Sequence, residues 1–289
     1  MVDIDGTLIG PSRRVTPRVK AAVRAALDAG VLVTLATGRW FRSAQPVAAD
    51  LGLELPIILH NGALVKDSLT GEILDHCHLP LDLAAGALEV IRRHGLQPIV
   101  YENAFAGEWL LAGPRELDTP STERYLSSKA QLRRVPLDAL LAEGDPLELV
   151  VAEVAEKADP LVAELERGLW RTVTSMSLAA PEARLVEILA PDCSKTNAIR
   201  RLGGRFGIGL DEVMVVGDNF NDLDMIEAAG LGVAMANAPA RVRERARWVA
   251  PHVEADGLAL AIERFLLDGP PARGATGPSA PAAAGGSSG

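Results

Sequence analysis

Hydrophobic positions follow two different periods in the first part of the chain, and the two alternate. Thr16 and Pro17 are typical of a helix start, and apolar residues then recur at helical spacing over residues 19–27. Residues 31–36 and 56–59 are near-continuous apolar runs, as in strands that are buried on both faces. This alternation of strand and helix predicts a parallel sheet covered by helices.

The same rhythm returns late in the chain. Ser194 is placed to cap a helix that ends near residue 203, and apolar runs predict strands at 212–216, 231–235 and 248–250. The middle of the chain has its own predicted helices (81–94, 115–126, 158–168) and strands (98–101, 147–152, 171–178, 184–190). We therefore predict an α/β protein whose discontinuous first domain contains a second, inserted α/β domain.

Composition and charge narrow the class of protein. The 289 residues are 48% hydrophobic and 4% aromatic, and the formal net charge is −9. We expect no nucleic-acid partner and no membrane partner for so acidic a chain, in which no apolar run reaches about 18 residues. Two cysteines and the lack of a basic, apolar leader predict a cytoplasmic location. Residues 269–289 are predicted to be a disordered tail, because 19 of these 21 are Gly, Pro, Ala or Ser.

Paired carboxylates near the start of the chain are the first candidate for chemistry. Asp3 and Asp5 lie two apart at the end of a predicted strand, so their side chains point the same way, and Gly6 allows a sharp turn. Ligands of open α/β sheets bind at this end of the strands. Two close carboxylates suit a divalent cation, or a division of labour between nucleophile and acid. A solvated acidic turn is the alternative.

Two further segments could bind phosphate. Thr37, Gly38 and Arg39 follow an apolar run and offer a hydroxyl, a backbone N–H and a guanidinium, although a plain strand end has the same pattern. Lys195 occupies the first turn of a predicted helix, where its charge opposes the helix dipole. The alternative for Lys195 is a solvated surface lysine.

A second acidic segment follows the apolar run at 212–216. Asp218 and Asp222 flank a turn that contains Asn221, at the start of a predicted helix. Ligands that are all oxygen fit Mg²⁺ better than zinc or copper. An Asx-rich turn that caps the helix is the alternative.

The order and setting of these segments resemble the haloacid dehalogenase (HAD) superfamily of phosphatases, in particular the Cof-type branch. The resemblance spans about residues 1–267 and includes the turn His60-Asn61-Gly62 that precedes the cap in this branch. It implies a Rossmann-like parallel-sheet HAD core of residues 1–78 and 186–268, with an inserted α/β cap of residues 79–185.

The resemblance also implies roles for the motif residues. Asp3 matches the nucleophile, Asp5 the general acid/base and Lys195 the lysine of the third motif. The residues matched to substrate binding are Thr37, Gly38, Arg39, Lys195 and Asn221, and those matched to Mg²⁺ binding are Asp3, Asp5, Asp218 and Asp222.

The activity implied is Mg²⁺-dependent hydrolysis of phosphate monoesters of small metabolites, such as sugar phosphates. Asp3 would attack phosphorus to form an aspartyl-phosphate, while Asp5 protonates the leaving oxygen and later deprotonates water. Two alternatives stay open. A phosphomutase of the same superfamily would need a bisphosphate activator, and a phosphometabolite-binding protein without catalysis would not need Asp5.

The start of the chain departs from the family pattern. Family members have several apolar residues before the first aspartate, whereas this chain has only Met1 and Val2. By the resemblance, the strand that carries Asp3 lies centrally in the sheet, where a short strand leaves its neighbours partly unpaired. We therefore expect an in-frame apolar stretch upstream of Met1 in the coding sequence.

Overall fold

The structure is a computed structural model that describes residues 1–267 except 103, 104, 106–108, 128, 130, 178 and 179. The tail predicted at 269–289 lies outside the described residues. The helices are α1 (Pro17–Asp28), α2 (Phe41–Asp50), α3 (Leu81–Arg93), α4 (Pro120–Ser127), α5 (Ala155–Leu165), α6 (Lys195–Arg205), α7 (Leu223–Ala228), α8 (Ala240–Arg243) and α9 (Gly257–Ile262). The strands are β1 (Ile57–Leu59), β2 (Leu64–Lys66), β3 (Ile73–His76), β4 (Ile99–Tyr101), β5 (Leu110–Ala112), β6 (Leu132–Arg134), β7 (Glu148–Glu153), β8 (Arg171–Ser177), β9 (Ala180–Leu189), β10 (Met214–Gly217), β11 (Leu231–Met235) and β12 (Trp248–Ala250).

A parallel core joins segments from both ends of the chain. β10, β11 and β12 pair in parallel, and Val2 forms parallel bridges both to Val216 of β10 and to Leu35. Ala36 bridges in parallel to Ile58 of β1. The residue before Asp3 therefore lies in the middle of the parallel array, which confirms the expected central position.

The core differs from the prediction in its first half. A strand was predicted at 31–36, but within this described range only Leu35 and Ala36 form bridges to the parallel array. Val31 is still part of the end of α1, because its N–H donates to Ala26 O. β2 and β3 form an antiparallel extension of β1 that was not predicted. Strands of three or four residues are too short for their periodicity to be read from sequence.

The inserted region forms a six-stranded sheet in the order β6-β5-β4-β7-β9-β8. Alternate side chains of β7 point to opposite faces of this sheet. Leu149 and Val151 pack with α3 and α5, whereas Val150 and Ala152 pack on the side of the parallel core. One face of this sheet thus lies on the side of the parallel core. β9 continues past residue 185, so the predicted domain boundary falls within a strand.

Two elements of the inserted region differ from the prediction. The helix expected at 115–126 is limited to α4, which begins at Pro120, because proline lacks an N–H and is favoured in the first turn of a helix. Strands β5 and β6 were not predicted, and β6 (Leu-Arg-Arg) has no apolar pattern. No helix in the described ranges is long and apolar enough to cross a membrane.

Thr16 fixes the start of α1, as predicted. Its Oγ1 accepts a hydrogen bond from Val19 N (3.2 Å) and donates one to Asp256 Oδ1 (2.5 Å). Replacing Thr16 by Ala should lower the free energy of unfolding by about 1–2 kcal/mol, because both bonds are lost. Urea denaturation measures the effect, with Thr16→Ser as the control that retains a hydroxyl. Equal stability of the Ala and Ser variants would contradict this role.

Candidate active site

Three carboxylates cluster at the carboxyl end of the parallel core, and two of them contact one buried ammonium. Asp3 follows the bridged Val2, and Asp218 and Asp222 lie in the segment after β10. Each of the three offers one oxygen, and these oxygens lie within 4.8 Å of one another. Lys195 Nζ donates to Asp3 Oδ1 (2.7 Å) and to Asp222 Oδ1 (2.6 Å). The structure thus brings together residues that are up to 219 positions apart, here Asp3 and Asp222.

Lys195 is a buried site residue and not a surface lysine. The residue is 1% exposed, and α6 begins with it because Ser194 Oγ accepts a hydrogen bond from Asn197 N (3.0 Å). Burial alone would lower the pKa of Lys195, but Asp222 and Asp3 raise it well above its ordinary value. The ammonium is therefore charged and fixed between two carboxylates.

The carboxylates themselves are held by short-range contacts. Gly6 has a φ of +84°, and a Cβ there would lie 2.1 Å from Asp218 Oδ2, so glycine is required where the chain turns against Asp218. Thr7 Oγ1 donates to Asp218 Oδ1 (3.0 Å). Asp222 Oδ2 accepts from the backbone N–H groups of Asp218 (2.9 Å) and Asn219 (3.0 Å). The Asx turn predicted as the alternative exists, and it also positions the acidic cluster.

The cluster has more negative than positive charge. Burial raises the pKa of Asp3 to about 7 and that of Asp218 to about 8, and repulsion from Asp222 adds to both shifts. Two buried carboxylates and a half-buried one lie beside one ammonium, and their oxygen ligands fit a hard divalent cation such as Mg²⁺. Additional positive charge would stabilise the ionised form of all three.

Asp5 lies apart from this cluster. Its carboxylate accepts two hydrogen bonds from one guanidinium, from Arg39 Nε (2.6 Å) and Arg39 Nη2 (2.7 Å), and Arg39 Nη1 donates to Ser43 O (3.1 Å). The metal cluster formed by described residues does not contain Asp5, although Asp5 was predicted as a ligand. The chain turns between Asp3 and Asp5, and this separates the two side chains.

The remaining predicted residues line the approach to Asp3. Thr37 Oγ1 accepts a hydrogen bond from Arg39 N (3.1 Å). A Cβ on Gly38 would lie 3.2 Å from the side chain of Asn61, so little room is left there. Asn221 Nδ2 donates to Asn61 Oδ1 (3.0 Å), which uses one of the two N–H donors of this amide.

A cavity of about 400 Å³ connects this site to the inserted sheet. Its core side includes Asp3, Asp5, Thr37, Gly38, Arg39, Trp40 and Asn221, and its cap side includes Tyr101, Tyr125, Lys129, Glu148, Ser175 and Glu187. Lys195, Asp218 and Asp222 are not part of the lining. A ligand in this cavity would contact Asp3 at one end and the cap at the other.

The charged residues on the cap side of this cavity were not predicted from the sequence. Glu148 and Glu187 are 1% and 4% exposed, and both sit within apolar strands. A charged residue inside an otherwise apolar run is a signal that could have found them. Lys129 carried no such signal, because its position depends on the tertiary fold.

The turn that joins β1 to β2 is strained and faces the cap. His60, Asn61 and Gly62 have φ values of 48°, 52° and 104°, the left-handed region that only glycine adopts readily. His60 Nδ1 donates to Glu148 Oε1 (2.8 Å), and Asn61 Nδ2 donates to Glu187 Oε1 (3.0 Å). Strain of this kind is typical of functional sites, and here it orients both side chains toward the cap.

The chain belongs to the haloacid dehalogenase-like hydrolases, whose family pattern it matches over residues 1–262. It is therefore a hydrolase of the HAD phosphatase type, and the predicted family, fold class and enzyme class are confirmed.

Similar proteins span nearly the whole chain. An HMP-PP phosphatase of Serratia proteamaculans is 31% identical over 270 residues, which cover 91% of this chain and 93% of the relative. A 5-amino-6-(5-phospho-D-ribitylamino)uracil phosphatase of Bacillus subtilis is 25% identical, with coverage of 92% and 96%. The solved structure of a haloacid dehalogenase-like hydrolase from Bacteroides thetaiotaomicron has a TM-score of 0.73 and 26% identity, with coverage of 91% and 97%.

Proposed function

We propose that this enzyme hydrolyses phosphate monoesters of small metabolites through an aspartyl-phosphate on Asp3, with Mg²⁺ as cofactor. The observation that carries the proposal is the position of Asp3. Its carboxylate lines the cavity between core and cap, accepts a hydrogen bond from buried Lys195 and belongs to a cluster of three carboxylates. A nucleophilic carboxylate needs this combination of access and compensating charge.

Asp3 and Asp218, with Asp222 beside them, would hold the metal ion. When bound, Mg²⁺ would offset the repulsion between the carboxylates and a phosphate dianion. Asp222 also holds Lys195 and the segment around Asp218 through its own hydrogen bonds. Asp5 is assigned no ligand role, since its carboxylate is paired with Arg39.

Asp3 acts as the nucleophile and Asp5 as the general acid and base. One oxygen of Asp3 forms a bond to phosphorus, and the bond from phosphorus to the leaving oxygen breaks while Asp5 gives that oxygen a proton. Asp5 then takes a proton from water, whose oxygen attacks phosphorus, and this releases phosphate and restores Asp3. Arg39 keeps Asp5 at the cavity wall, and Lys195 is placed to balance negative charge at Asp3.

The substrate class follows from the size of the cavity and from the relatives. About 400 Å³ is at the lower end of the range of about 300–1,000 Å³ found for small-molecule sites. Two relatives carry names of phosphatases for small phosphorylated metabolites, which supports the same class of substrate here. The cap side of the cavity would contact the part of the substrate beyond the phosphoryl group.

Removal of divalent metal should abolish turnover. After dialysis against EDTA, release of inorganic phosphate from p-nitrophenyl phosphate should fall to background. Mg²⁺ or Mn²⁺ should restore it, and Ca²⁺ should not, because its looser coordination misplaces the reacting groups. Mg²⁺ should also raise the melting temperature of wild type but not of Asp218→Asn, with Asp211→Asn as the control.

Full activity after exhaustive chelation would contradict the metal assignment. Phosphate release in the absence of any bisphosphate activator separates hydrolysis from the phosphomutase alternative, because a mutase returns the phosphoryl group to substrate.

A further inference from the structure

Glu148 is a carboxylate that the proposed reaction does not use. It lies at the start of β7, lines the cavity and is 1% exposed. Its Oε1 accepts a hydrogen bond from His60 Nδ1 (2.8 Å), while its buried Oε2 has no partner among the residues that the structure describes. Buried polar atoms are nearly always hydrogen-bonded. A donor from a molecule in the cavity would complete the hydrogen bonding of this carboxylate.

The ammonium of Lys129, which lines the same cap side of the cavity, does not supply the missing hydrogen bond to Glu148 Oε2. Lys129 Nζ lies over three aromatic rings, 4.4 Å from the centroid of Tyr125, 5.4 Å from Trp40 and 5.9 Å from Tyr101. Within the described part of the chain, no hydrogen bond joins this ammonium to Glu148. Burial lowers the pKa of Lys129 to about 8, although the charges of Glu148 and Glu187 oppose this shift, so the ammonium is still mostly charged at neutral pH.

A second buried carboxylate, that of Glu187, adds negative charge to the cap side of the cavity, which favours a cationic ligand. Both oxygens of Glu187 accept hydrogen bonds, from Asn61 Nδ2 (3.0 Å) and from Ser175 Oγ (2.9 Å). Burial and the neighbouring charge of Glu148 raise the pKa of Glu187 to about 8. Among the described residues, two buried carboxylates thus face the single ammonium of Lys129 on this side of the cavity, and a ligand with a positive N–H group would supply a second positive charge.

We propose that the unpaired oxygen of Glu148 binds an amino group of the substrate, and that the enzyme prefers phosphate monoesters of amino alcohols and amino sugars. The inference rests on the proposed function, because it places the phosphoryl group at Asp3 and the organic part at the cap. An ammonium forms a charge-assisted hydrogen bond with a carboxylate. A hydroxyl in the same place donates a hydrogen bond but adds no positive charge beside the two glutamates.

Matched pairs of esters test this preference. Glucosamine 6-phosphate is compared with glucose 6-phosphate. In addition, ω-aminoalkyl phosphates of increasing length are compared with their hydroxyl twins, which are the ω-hydroxyalkyl phosphates of the same length. The series is chosen so that one length reaches Glu148. Wild type should favour the best amino ester over its twin in kcat/KM by about 10- to 100-fold, the usual worth of a hydrogen bond to a charged group. In Glu148→Gln this ratio should fall to about one, because the amide offers no charge.

Glu153→Gln is the matched control. Glu153 lies on the same strand and is 2% exposed, but its Oε1 accepts a hydrogen bond from Val154 N (2.9 Å) and it is absent from the cavity lining. This variant should keep the wild-type ratio. Glu148→Gln can still accept the hydrogen bond from His60, and its melting temperature checks that the fold is intact.

Binding provides a readout that does not depend on turnover. The amino esters should raise the melting temperature of wild type more than their hydroxyl twins do, and Glu148→Gln should lose this difference. A wild-type ratio near one across the whole series, or a preference that persists in Glu148→Gln, would overturn the inference. If no ester is hydrolysed, the proposed function fails, and the melting-temperature comparison still decides the role of Glu148.

Discussion

Asp3→Asn should lower kcat for every phosphate ester by about 10⁴-fold or more, the scale of loss seen when a nucleophile is removed. An amide has nearly the same shape as a carboxylate, but it does not attack phosphorus under these conditions. Lys195 would still be held by Asp222, at 2.6 Å, so the fold should be retained. Steady-state kinetics with p-nitrophenyl phosphate measure the loss, and circular dichroism checks the fold.

An exposed aspartate provides the control for this experiment. Asp28→Asn makes the same chemical change at the end of α1, where Asp28 forms a surface ion pair with Arg24 (3.1 Å). Its kcat should equal that of wild type. If Asp3→Asn keeps a substantial part of the wild-type kcat in a preparation free of wild-type enzyme, Asp3 is not the nucleophile.

Lys195→Met should cause the largest loss of stability, about 3–5 kcal/mol, as is found when one partner of a buried ion pair is removed. Methionine fills similar space, but Asp3 and Asp222 lose the ammonium that both of them contact. The loss of charge at Asp3 should also reduce turnover severely. Urea denaturation gives the stability change, and turnover is measured at a temperature where the variant is folded.

The exposed pair of Lys20 and Asp50 provides the comparison. Its atoms are also 2.6 Å apart, but the Lys20 side chain is 41% exposed. Lys20→Met should change the free energy of unfolding by only about 0–1 kcal/mol. Similar effects of the two substitutions would contradict the view that burial makes Lys195 important.

The catalytic cluster could be predicted from sequence because its members occupy positions that parallel strands bring together. Asp3 follows Val2, which bridges in parallel to β10, and Asp218 follows β10 itself. The carboxyl ends of parallel segments meet at one edge of the sheet. Lys195 could be predicted as the start of a helix, but its burial could not. Both carboxylates that surround it come from segments distant in sequence.

The pairing of Asp5 with Arg39 and the cap side of the cavity could not be predicted. Asp5 was expected to face the metal, yet the turn after Asp3 places its carboxylate against a guanidinium from another segment. The cap glutamates depend on how the inserted sheet lies over the core. Strand β7 showed its apolar pattern in the sequence, but the partner of Glu148, His60, is 88 residues away. Long-range packing of this kind leaves no local signal.

The most direct test of the account is detection of the phosphorylated enzyme. Wild type is mixed with a labelled phosphate ester and Mg²⁺, stopped with acid within one turnover, and digested for mass spectrometry. We predict one phosphoryl group on the peptide that contains Asp3, released by hydroxylamine as an acyl phosphate should be, and absent from Asp3→Asn. Turnover with no labelled protein at any time, or a label on another residue, would contradict the account.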